Sequence, residues 1–91
     1  MTLTRMFSYP RAPHTLVLEL DTPDAECAVL ELVRRFSRWH RVESRVVYGG
    51  RTELVLLLRP VKKHTGFERA LDRSMGVSGA TLYPPGAPIA S

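Results

Sequence analysis

The chain has 91 residues, of which 44% are hydrophobic and 24% charged, a size and mix that suit one globular domain burying roughly 60 to 65% of its unfolded surface. Its longest apolar run is the five residues Leu54 to Leu58, against the roughly 20 that a membrane-spanning helix needs, and the amino terminus carries no signal-peptide stretch; a cytoplasmic protein is expected, reaching a membrane only through a parent protein. One cysteine excludes an internal disulfide, and His14, His40 and His64 have no second cysteine at a zinc spacing, so no metal or cofactor is expected.

In chain order, residues 1–13 have two close prolines and no sustained period, which reads as an arm able to add an edge strand. HTLVLELD alternates Leu16, Leu18 and Leu20 with Thr15, Val17 and Glu19, the period of two that gives a strand with one leucine face on a core. The period then changes. Over TPDAECAVLELVRRFSRWH, Ala25, Val29, Leu32, Phe36 and Trp39 recur at steps of four and three, one apolar helical face running to Trp39. Thr22 is placed to cap it, Pro23 stands where a missing N–H is harmless, and Asp24 and Glu26 suit the positive dipole end.

VESRVVYGGRTELVLLLRP reads as a hairpin turning at Gly49 and Gly50, with Pro60 ending its second strand. Thr65, Gly66, Phe67 and Glu68 spell a capping box opening a second helix, whose apolar face holds Phe67, Ala70, Leu71 and Met75. Gly76 suits a left-handed stop, and VSGATLYPP a last strand ended by Pro84 and Pro85. The order is β-α-β-β-α-β over residues 14–83, followed by a disordered tail at 84–91. This is the ferredoxin-like α+β fold: a four-stranded antiparallel sheet with two helices on one face.

In that topology the first and third strands are central, so the sheet face away from the helices carries Val17, Glu19, Val55 and Leu57. RNA-binding versions of the fold put aromatic residues there for bases to stack on. An aliphatic strip instead packs against another such strip, and a homodimer is expected. The alternative is that the arm, with Leu3, Met6 and Phe7, folds over the strip within one chain. The 13 Lys and Arg against 9 Asp and Glu, net +4, permit anionic partners without demanding them. Tracing the chain puts Arg34, Arg35, Arg38, His40 and Arg41 near Arg59, Lys62, Lys63 and His64, a basic pole able to hold phosphate groups of nucleic acid or anionic lipid.

At the opposite end Asp21, Thr22, Pro23 and Asp24 form the turn after the first strand, beside Gly49 and Gly50. With the element order, Asp21, Thr22 and Pro23 resemble the Asp-x-Pro-Gly turn of ACT-like regulatory domains, while Asp24 replaces the family's glycine. The resemblance implies a small ligand held by Asp21 to Asp24 at a subunit interface. It also implies a regulatory module of the kind found as the cytosolic C-terminal domain of MgtC-type bacterial membrane proteins, with a parent membrane protein or protein partner.

Catalysis finds little support. Acylphosphatases share the fold but need a glycine-rich anion cradle with an arginine where this chain has Asp21 and Asp24, and copper carriers need two cysteines there. No histidine has an acid and a nucleophile at a readable spacing. Sequence therefore ranks a non-enzymatic, self-associating regulatory or protein-interaction domain first and a phosphate-backbone binder second. A small dimeric barrel enzyme with a ligand between helices and sheet comes third.

Overall fold

The computed structural model describes residues 12–85. Residues 1–11 and 86–91 lie outside the described part, and with them most of the expected arm and tail, including Leu3, Met6 and Phe7. The elements are β1 (His14–Leu20), α1 (Ala25–Phe36), β2 (Ser37–Tyr48), β3 (Arg51–Val61), α2 (His64–Arg73) and β4 (Val77–Tyr83). The strands pair antiparallel in the order β2-β3-β1-β4. This is the ferredoxin-like α+β fold.

Alternation along β1 and β3 sorts the sheet into two faces. Leu16, Leu18 and Leu20 of β1, with Leu54, Leu56 and Leu58 of β3, are all but fully buried. They pack against Ala25, Val29 and Val33 of α1 and Phe67 and Leu71 of α2. Burial of a leucine or phenylalanine of this kind is worth about 1.5–3 kcal/mol, so this leucine layer is the main source of cohesion between sheet and helices. The Phe36 and Phe67 rings, 5.1 Å apart between centroids and stacked, tie the two helices together.

Several local expectations are corrected. The first helix ends at Phe36 instead of running to Trp39. The Ser37 hydroxyl donates to the Val33 carbonyl at 2.6 Å, as does the Ser37 amide, which satisfies the last turn and releases the chain into β2. The hairpin therefore starts at Ser37 and not at Val42. The β3 strand continues past Pro60 to Val61. Thr22 makes no side-chain cap: Asp24 holds the capping position without a side-chain bond, and the Ala25 amide donates to the Thr22 carbonyl. The Thr65–Glu68 capping box does not form either. Lys63, with φ of 51°, turns the chain left-handed, so α2 begins at His64 and Thr65 falls inside the helix. Met75 lies beyond the helix and is 90% exposed, so it is no part of its buried face. Gly49 and Gly50 both take positive φ, the conformation that a tight hairpin between twisted strands requires.

Candidate functional site

The face of the sheet away from the helices is defined by strand register. Val17 lies across from Val55, Thr15 from Leu57 and Glu19 from Glu53 on the two central strands. On β4, Tyr83, Thr81 and Gly79 stand opposite Thr15, Val17 and Glu19. On β2, Trp39, Arg41, Ser44 and Val46 stand opposite Arg59, Leu57, Val55 and Glu53. All four sequence-derived interface residues, Val17, Glu19, Val55 and Leu57, thus share one face. Each is partly buried, and no described element lies across it.

Two features of this face were not anticipated. Trp39 does not extend the helix stripe into the core. It sits on β2, with the Arg59 guanidinium 4.4 Å and the Arg41 guanidinium 5.9 Å from its ring centroid, so one end of the face is aromatic and cationic. At the other end Glu19 and Glu53 stand side by side with no ion pair between either of them and another described residue. The face is electrically polarised along the strands, with the Val17, Val55 and Leu57 patch between the two ends.

The edges of the sheet differ. Along β2 the register shifts between Val42 and Ser44, leaving Glu43 as an extra residue, and the edge carries Arg38, Arg41, Glu43 and Arg45, all exposed. Arg41 pairs with Glu43 at 2.7 Å, and Arg45 reaches Glu26 on α1. A bulge and a row of charges are the features that keep an edge strand from pairing with another chain. The β4 edge is shorter, seven residues without a charge, closing on Pro84 and Pro85.

The basic pole assembles around a backbone bond from the Lys62 amide to the Phe36 carbonyl at 2.9 Å, which brings the end of α1 beside the end of β3. Arg34 and Arg35 in the last turn of α1, Arg38, and Lys62 and Lys63 are exposed there; Arg41 is drawn off toward Glu43. Here too His14 and His64, fifty residues apart in sequence, meet with their Nε2 atoms 3.0 Å apart. Burial, and then the neighbouring His64, hold the His14 imidazole below its usual pKa, so it is neutral at pH 7. The His14 Nδ1 atom is buried without a partner among the described residues. A buried N–H without an acceptor costs more than a bare lone pair, so the favoured tautomer has His14 Nε2–H donating to His64 Nε2. Among the described residues, no three His, Cys, Asp or Glu side chains gather closely enough to hold a metal ion.

At the far pole the turn residues part company. Asp21 bonds away: its carboxylate lies 3.4 Å from Arg51 and its amide donates to the Gly76 carbonyl. Thr22 and Asp24 line an open hollow of about 490 Å³ with Ala25, Ala28, Ser74, Met75 and Gly76; Pro23 is exposed. The close approach that a glycine permits in this turn comes from Gly76 across the gap, whose missing Cβ would stand 2.5 Å from the Thr22 Oγ1. Cys27 is exposed.

Among the described residues no helix is long and apolar enough to cross a membrane. Neither the known protein families nor the curated proteins give a match to this chain. The likeness to ACT-like domains therefore rests on the order of elements and on the turn from Asp21 to Pro23.

Proposed function

We propose that this chain is a non-enzymatic regulatory or protein-interaction domain of the cytoplasm that pairs with a second copy of itself through the open face of its sheet. The observation that carries the reading is the placement of Val17 directly across from Val55, with Leu57 beside them, on the two central strands and with no described element over them. Aliphatic side chains on a flat, twisted face gain by excluding water against a matching face, at about 25 cal/mol per Å² removed from water. The β2 edge, bulged and charged, favours the face over that edge as the meeting surface. A small-ligand role at the Asp21–Asp24 turn, as in ACT-like modules, belongs to the same reading, with Thr22 and Asp24 lining the hollow.

The test is absolute mass by light scattering across protein concentration and salt, on the native chain and on Val55→Asp. A salt-resistant dimer that becomes a folded monomer in the variant is expected. A native chain that stays monomeric throughout removes the proposal, and a dimer indifferent to Val55→Asp points to the β4 edge instead.

A second reading is favoured by the Lys62–Phe36 backbone bond that gathers cations at one pole: phosphate-backbone binding, to RNA or anionic lipid, through Arg34, Arg35, Arg38, Lys62 and Lys63. It predicts binding that weakens as salt rises and that is lost in Lys62→Glu/Lys63→Glu. Binding indifferent to those changes removes it.

A further inference from the structure

The open face of β3 presents, every second residue, Glu53, Val55, Leu57 and Arg59, fixed on one side by pairing with Val46, Ser44, Arg41 and Trp39. Reversed, the series reads Arg, Leu, Val, Glu. We propose that two copies pack face to face about a two-fold axis that runs across the strands at the level of Leu56, so that β3 lies antiparallel over the partner's β3. Glu53 then falls opposite the partner's Arg59 and Val55 opposite the partner's Leu57, each contact occurring twice by symmetry. This rests on the face-pairing reading above and fixes its geometry.

The neighbouring strands agree with the arrangement. The same axis sets Val17 of β1 against the partner's Thr15. On β2 it sets Trp39 against the partner's Val46, a side chain that is 46% exposed in the single chain. Apolar groups meet at the centre and at the aromatic end, and each carboxylate-bearing end meets a cationic one.

The competing face-to-face dimer has its axis parallel to the strands. It lays β3 over the partner's β1, and Glu53 then faces the partner's Glu19. Four carboxylates would share one dry patch, because Glu19 and Glu53 already stand side by side within each chain without a cation between them. Like-charge juxtaposition across an interface opposes association, so the polarity of the face selects between the two symmetries. Arg59 lies over the Trp39 ring at the cationic end.

The experiment is a charge swap, read as the dimer dissociation constant by sedimentation or light scattering, with circular dichroism confirming the fold of each variant. Glu53→Arg and Arg59→Glu each place like charges together twice in the proposed dimer, and each is expected to weaken self-association by about tenfold or more. An equimolar mixture of the two restores both ion pairs and is expected to form heterodimers in preference to either homodimer. The double variant Glu53→Arg/Arg59→Glu restores them within one chain and is expected to return toward native affinity. If Arg59→Glu alone fails to fold, Glu53→Arg and the double variant carry the test. Glu53→Arg that tightens the dimer supports the parallel axis, where the introduced guanidinium would meet the partner's Glu19, and overturns the proposal. Equal affinities across the set overturn it as well. A native chain that is monomeric at every concentration overturns the face-pairing reading itself, whereas a native dimer with the wrong charge response overturns only the axis.

Discussion

Gly76 approaches Thr22 so closely that a methyl group added at position 76 would stand 2.5 Å from the Thr22 hydroxyl oxygen and 2.9 Å from the Ala25 Cβ. Its φ of 83° is one that side chains rarely adopt. Gly76→Ala thus meets both backbone strain and overpacking, and a loss of about 2–4 kcal/mol in urea denaturation is expected. Gly49→Ala, with φ of 55° and nothing within 4 Å of its Cβ, meets only the conformational cost and should lose about 1–2 kcal/mol. Equal losses at the two positions would mean that the contact between the loops is not made in solution.

Glu19 and Glu53 oppose each other on neighbouring strands without a cation among the described residues, an arrangement that destabilises a sheet. Glu19→Gln keeps the shape and removes the repulsion. A gain of about 0.2–1 kcal/mol is expected in denaturant melts at low salt, shrinking as salt screens the pair. A loss of stability would show that a partner for Glu19 forms in solution.

The depressed pKa of His14 links folding to acid. Its folded-state value lies below the unfolded value near 6.5, so as pH falls below that value the unfolded chain takes up the proton first. The stability tied to the neutral imidazole is whole above pH 6.5 and declines as pH drops toward the folded value, below which the loss levels off. His14→Gln removes this titration while leaving a polar group beside His64. Denaturation midpoints measured from pH 8 to pH 5 should fall more for the native chain than for the variant. Parallel curves would show that His14 is not held neutral by its surroundings.

Phe67 is fully buried and stacks on Phe36, bridging the two helices over the leucine layer. Phe67→Ala should cost about 3–5 kcal/mol, a large part of what holds a domain of this size together. Thermal unfolding followed by circular dichroism gives the number. A shift of only a degree or two would mean that the helices pack loosely on the sheet.

How much of this was legible in the sequence depends on which force decides each residue. The alternation of Leu16, Leu18 and Leu20 named β1 and its inner face, and Gly49 and Gly50 named the hairpin turn, because both signals are local. Strand order followed from element order and handedness, and that was enough to put Val17, Glu19, Val55 and Leu57 on one face. The end of α1 was misplaced because Trp39 falls on the helical stripe, three residues beyond Phe36. Pairing with Arg59, twenty residues on, decides its structure, and no local pattern records that. The capping box at Thr65 lost to the left-handed turn at Lys63 in the same way. The His14–His64 contact and the charge polarity of the open face also depend on register, although the alternation of Glu53, Val55, Leu57 and Arg59 was open to view once β3 was read as a strand.

The extra residue at Glu43 also limits how copies can assemble. A sheet that lengthens by adding strands needs both of its outer edges open, as a brick needs two free ends to belong to a wall. With the β2 side shut by the bulge and its charges, a copy arriving at β4 would find no second edge from which to continue. The hydrogen-bonded polymerisation that threatens many open sheets thus meets a bulge and a row of charges on the β2 side.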